Sequence, residues 1–107
     1  MKVLMATAAK VVFSHITKDP RVCGGKACID NTRIRVMDIV QLKREGKQPE
    51  EMRNIFAVPL TLAQIYSALA YADENPAEIE ADFARDDAVE EQIERDRVEF
   101  LKRQPDQ

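Results

Sequence analysis

Histidine and cysteine are scarce, with one of the former, His15, and two of the latter, Cys23 and Cys28. Two thiols make no disulfide framework, and their C-x4-C spacing fits neither the close pairs of a zinc site nor a C-x-x-C redox motif. The only histidine, His15, lies eight residues upstream, so these residues fall short of the four Cys and His ligands usual in a structural zinc site. No metal or cofactor is expected, and the thiols and the imidazole are read as structural. Long apolar runs are absent too, since nothing approaches the ~20 residues that a membrane span needs. The start, Met1-Lys2-Val3-Leu4-Met5-Ala6, lacks the long apolar core of a signal peptide and is soon interrupted by Lys10. A cytosolic, reduced protein without a membrane segment is therefore expected.

A reacting set of residues is missing as well. No Ser/His/Asp arrangement can be assembled, and Gly24-Gly25-Lys26 lacks the rest of a phosphate-loop pattern. The carboxylate pairs Asp86-Asp87 and Glu90-Glu91 fall in a highly charged segment, where a solvated face is the ordinary reading. The chain is not expected to be an enzyme.

What remains is a globular chain with an uneven charge. Its 107 residues allow one domain and one core, and 45% hydrophobic with 33% charged residues is a folded composition. Residues 1–53 carry 11 Lys/Arg and 6 Asp/Glu, a net of +5, whereas residues 54–107 carry 5 and 13, a net of −8. Opposite fields of this kind suit two different partners, or they attract each other within one molecule or across a dimer.

Residues 1–13 read as a weakly patterned N-terminal arm, in which Val11-Val12-Phe13 is either a short strand or the end of an arm that packs on a partner. Ala27-Cys28-Ile29, Asp30-Asn31-Thr32 and Arg33-Ile34-Arg35-Val36 read as strand, turn and strand, because Asp and Asn tolerate a left-handed backbone. Ile34 and Val36 share one face of the second strand, and Arg33 and Arg35 share the other.

Helical punctuation follows. A helix over about 36–45 ends with Lys43 and Arg44 in its last turn and Gly46 beyond them. The next opens at Pro49, with Glu50 and Glu51 in its first turn and Met52, Ile55 and Phe56 as its apolar face, and Val58-Pro59 breaks it. A third begins at Thr61, where Thr61 and Gln64 fit a capping box. Its stripe of Leu62, Ile65, Leu69 and Ala72 points Gln64, Ser67, Tyr71 and Glu74 outward. Asn75-Pro76 restarts the chain as an acidic helix to about residue 103. The sparse apolar set of that helix (Ile79, Phe83, Val89, Ile93, Phe100, Leu101) needs another surface to cover it.

The second and third helices have the lengths and link of a helix-turn-helix, and with the first they make a trihelical unit. Gln64, Ser67 and Tyr71 would face base edges if this unit reads DNA. No Lys or Arg lies between Arg53 and Arg85, however, so phosphate contacts would have to come from Arg33, Arg35, Lys43, Arg44, Lys47 or Arg53. A protein-binding or dimerising trihelical unit is the alternative.

Two separated blocks resemble a known family. Ile16-Thr17-Lys18-Asp19-Pro20-Arg21-Val22-Cys23-Gly24-Gly25-Lys26-Ala27-Cys28-Ile29 with Asn31-Thr32-Arg33-Ile34-Arg35-Val36 is similar to the signature of the bacterial and archaeal "domain of unknown function 433". Pro49-Glu50-Glu51-Met52 and Leu60-Thr61-Leu62-Ala63-Gln64-Ile65-Tyr66-Ser67-Ala68-Leu69-Ala70-Tyr71-Ala72 follow in the family's order. The resemblance covers about residues 14–75. It departs at Ala27, where proline is usual, at Asp30-Asn31, where a basic residue and glycine are usual, and at Gln48 in place of Ser/Thr.

The resemblance implies a homeodomain-like, winged-helix neighbourhood, a homodimer, and pairing with a PIN-like nuclease as an antitoxin. The expected architecture is mainly α, with a small N-terminal β-hairpin, a helix-turn-helix domain over 14–75, and an acidic helical extension over 76–107. The leading expectation is a non-enzymatic, antitoxin-like regulator that docks operator DNA and holds a nuclease through Ile79, Phe83, Val89, Ile93, Phe100 and Leu101. The alternative is a homodimeric interaction module of the same shape that does not bind DNA.

Overall fold

Asp30 and Asn31, with φ of 42° and 57°, turn the chain where their residue types allow a left-handed backbone. Around that turn the computed structural model, which describes residues 10–104, builds a three-stranded antiparallel sheet in the order β1 (Lys10–Phe13), β2 (Ile16–Lys18) and β3 (Cys28–Ile29). β1 pairs Lys10 with Lys18 and Val11 with Thr17, then bulges before Phe13 meets Ile16. β2 sets Ile16 opposite Ile29 and Thr17 opposite Cys28. The rest of the expected arm lies outside the described residues.

The expected second strand of the hairpin shrinks to a single bridge between Cys28 and Arg35. The chain is committed to a helix from Val36, whose N–H has already turned to the Ala27 carbonyl at 2.9 Å. Ile34 and Val36 do point into the core, as their alternation requires.

Four helices follow: α1 (Val36–Arg44), α2 (Pro49–Met52), α3 (Leu62–Glu74) and α4 (Pro76–Lys102). Their ends are set locally. The Asp38 carboxylate accepts from Arg35 N–H at 2.9 Å to open α1, and Glu51 accepts from Gln48 N–H at 2.7 Å to open α2. Thr61 and Gln64 exchange reciprocal bonds of 2.8 and 3.1 Å to open α3, each pair satisfying N–H groups that no helix turn can reach. Gly46, at φ 92°, ends α1 in a conformation that costs other residues about 1 kcal/mol.

α2 is shorter than its apolar pattern predicts. It stops at Met52, which is fully buried, while Ile55 is left exposed and Phe56 half-covered. A loop bond from Leu60 N–H to the Arg53 carbonyl (2.9 Å) takes an acceptor that a longer helix would have used. Ile16, Ile29, Val36, Ile39, Met52, Ile65, Ala68 and Ile79 form the core between the sheet and the helices.

α3 is rotated from its predicted orientation. Ile65, Ala68 and Tyr71 are its buried residues, and Leu62, Leu69 and Ala72 lie only partly inside. The rotation follows from what waits on that side. The Phe13 ring meets Tyr71 edge-on, with centroids 5.7 Å apart and planes at 75°, and α4 supplies a partner for its hydroxyl.

Candidate interaction surface on helix α4

At 27 residues α4 is about 40 Å long, and its buried and half-buried residues all fall in its first three turns. Ile79, 2% exposed, enters the core, with the half-buried Phe83 one turn later. From Asp87 to Gln104 every residue is exposed. Helical spacing places Ile79, Phe83, Val89, Ile93, Phe100 and Leu101 along one broad face. The face that seats α4 therefore runs on uncovered, with Val89, Ile93, Phe100 and Leu101 at 58, 61, 60 and 52% exposure. Val98, at 38%, adds apolar area at its edge, and the sequence reading missed it.

Carboxylates clamp the seated part. Glu78 accepts from Lys18 Nζ at 3.0 Å and from the Tyr71 hydroxyl at 2.7 Å. Asp86 accepts from Arg35 Nη1 at 3.0 Å and lies 3.6 Å from Lys26 Nζ. Glu80 pairs with Arg44, whose guanidinium also lies 4.6 Å above the Phe83 ring. Asp82, almost inaccessible, is paired with Arg85. Burial pushes the Asp82 carboxyl above its ordinary range, and the Glu78 charge adds to that against the pull of Arg85. Burial also raises the Tyr71 hydroxyl, and its bond to Glu78 raises it further. The sequence held a signal for this clamp, because Glu78, Asp82 and Asp86 recur at i, i+4 and i+8 beside the apolar stripe.

This arrangement redistributes the DNA-contact candidates. Arg35 is held by Asp38 at 2.8 and 3.1 Å as well as by Asp86, and these bonds raise its already high pKa. Arg44 is engaged by Glu80. Gln64 caps α3 and donates to Asp30 at 2.8 Å, where His15 Nδ1 also lies at 2.8 Å. Burial pushes the Asp30 carboxyl up, but the bonds from Gln64 and His15 outweigh it and hold it below its usual value.

Ser67 is half-buried, and Tyr71 is a correction: it faces the core and not solvent. Arg33, Lys43, Lys47 and Arg53 are exposed and form no ion pair among the described residues, although Arg53 Nε donates to the Leu60 carbonyl at 3.4 Å. Ile79 is likewise corrected from a partner contact to a core residue.

Both thiols are free, with Cys28 buried and Cys23 half-covered. Burial, reinforced by the adjacent Cys23, pushes the Cys28 thiol up to about 12. Among the described residues no three His, Cys, Asp or Glu side chains gather as a metal-ligand set, and no helix is long and apolar enough to cross a membrane.

Residues 16–72 match the family described as "Protein of unknown function (DUF433)". A crystal structure of a DUF433 member protein from Anabaena variabilis ATCC 29413 is 34% identical and superposes with a TM-score of 0.60, covering 65% of this chain and 68% of that one. No curated protein matches.

Proposed function

The chain belongs to the DUF433 family, and from that premise we propose that it is a non-enzymatic protein-interaction module whose working surface is the distal face of α4. One observation carries the reading: a single helix face passes from a clamped, core-packed base to an uncovered apolar stripe. An exposed apolar patch rimmed by charge marks an association site. In this reading the globular core anchors α4, and α1, α2 and α3 form a homeodomain-like helix-turn-helix with its middle helix cut to one turn. Photo-crosslinking in cells tests it. A photoreactive residue at Ile93 or Phe100 gives protein adducts and one at Glu91, on the opposite face, gives none. Equal yields on both faces, or no adducts at all, overturn it.

A second reading, the antitoxin-like DNA-binding regulator, is favoured by the exposed Lys43 and Lys47. They flank a groove lined by Gly46, Gln48, Pro49, Met52 and Leu69 at the junction of α1, α2 and α3. Lysines that contact phosphate give binding that weakens steeply with salt, and Lys43→Ala with Lys47→Ala lowers the slope of log K against log salt by about 2. An anisotropy titration with the chain's own promoter duplex measures this, and absence of binding at low salt overturns it. In that reading a PIN-like nuclease occupies the face of α4.

A further inference from the structure

We propose that the distal face of α4 pairs antiparallel with α4 of a second copy of this chain. This inference rests on the reading of that face as the interaction surface and supplies its occupant. The argument is the charge sequence along the helix. Residues 86–94 hold five carboxylates (Asp86, Asp87, Glu90, Glu91, Glu94) and no cation, whereas residues 95–103 hold four cations (Arg95, Arg97, Lys102, Arg103) against Asp96 and Glu99. Two parallel copies would set five carboxylates against five. Two antiparallel copies set each acidic half against a net positive half, within the ~8–10 Å over which exposed charges act at physiological salt. A uniformly basic partner would satisfy the acidic half and be repelled by the other, while a second copy satisfies both.

The apolar stripe fits the same register. An antiparallel crossing centred near Arg95 lays Val89 of one copy over Leu101 of the other and covers Ile93 and Phe100, all now more than half exposed. Glu90, Glu94 and Arg97 follow one edge of the stripe at i, i+4 and i+7. Glu94 and Arg97, now paired within one helix at 2.7 Å, then come beside the second copy's Arg97 and Glu94. Among the described residues the covered positions of α4 end at Asp86, and every residue from Asp87 to Gln104 is exposed and open to this pairing.

Sedimentation equilibrium of the full chain is the test, with fold checked by circular dichroism. A species of twice the 12.2 kDa chain mass is expected, dissociating as salt rises. Glu90→Lys with Glu94→Lys weakens the dimer by about tenfold, since most of the acidic half's charge is lost and the lysine placed at position 94 meets the second copy's Arg97 in place of an attractive pair. Adding Arg97→Glu to that variant restores it, because the lysine at position 94 of each copy then faces a carboxylate at position 97 of the other in the antiparallel register. A three-residue variant that fails to restore pairing overturns the proposal, and so does an Ile93→Glu variant that still dimerises. A chain that stays monomeric at every concentration while its Ile93 adducts persist also overturns it, and leaves the interaction-surface reading standing with another occupant.

Discussion

Ile79 and Ile93 are the same residue type on the same helix, yet one is 2% and the other 61% exposed, so truncating each to alanine measures where α4 stops being part of the fold. Ile79→Ala removes buried carbons from the junction of α4 with the core. Changes of that kind cost about 2–5 kcal/mol, the transfer loss plus the cavity left behind. The base of α4 has only Phe83 as a second apolar anchor, so relaxation by undocking caps the loss, and about 3 kcal/mol is expected.

At roughly 4–8 °C per kcal/mol for a domain of this size, the melting temperature falls by about 12–24 °C. Ile93→Ala removes exposed carbons and replaces a β-branched residue by a better helix former, so its effect lies within about 0.5 kcal/mol. Urea unfolding followed by far-UV circular dichroism, at concentrations low enough to keep the chain monomeric, reads both values. Losses of equal size, or a loss under about 1 kcal/mol at Ile79, would refute the division of α4 into a seated and a free half.

Three further outcomes are expected. Thr61→Ala costs about 1 kcal/mol, because the side-chain oxygen accepts from Gln64 N–H at 3.1 Å, and Thr61→Ser recovers most of it; a silent Thr61→Ala in urea titration contradicts that role. Asp82 binds its proton more tightly folded than unfolded, so its contribution favours the fold most at low pH and is lost as pH rises through the raised folded value. Asp82→Asn removes that decline, and superimposable stability–pH curves for the two proteins would show that Asp82 is not its source. A chromogenic disulfide reagent modifies one thiol per folded chain, at the half-covered Cys23, and reaches buried Cys28 only in denaturant; two fast thiols would contradict the burial.

The parts of this fold legible in the sequence are those decided within four residues. Thr61 with Gln64, Pro49 with Glu51, Gly46 after α1 and the Asp30–Asn31 turn each carry their own geometry, and the structure uses all of them. What lay beyond reading was decided by distant chain. The period of α3 fixes a stripe, but Phe13 and Glu78 decide that Tyr71 turns inward. The apolar pattern of α2 extends to Phe56, but a loop bond at Arg53 ends the helix early. On α4 the sparse stripe asked for a covering surface, and periodicity alone could not say that the chain's own core covers Ile79 and leaves Ile93 bare.

The charge asymmetry has the same resolution, and it changes what the helix-turn-helix shape means. Lys18, Lys26, Arg35 and Arg44, four of the eleven cations in residues 1–53, face Glu78, Glu80 or Asp86 on the seated part of α4. A phosphate approaching Arg35 would have to displace both Asp38 and Asp86, so the acidic helix already occupies ground that a nucleic acid would need. Salt strong enough to loosen phosphate contacts would loosen this clamp too, so a salt titration of DNA binding should be read beside the stability of α4 itself. Of the sequence's candidate contacts, Arg33, Lys43, Lys47 and Arg53 stay outside these pairs, fewer than the 6–10 phosphate contacts that give strong, steeply salt-dependent binding. Five exposed large hydrophobics, Val89, Ile93, Val98, Phe100 and Leu101, lie instead on the distal half of α4, the face proposed above to take a second copy.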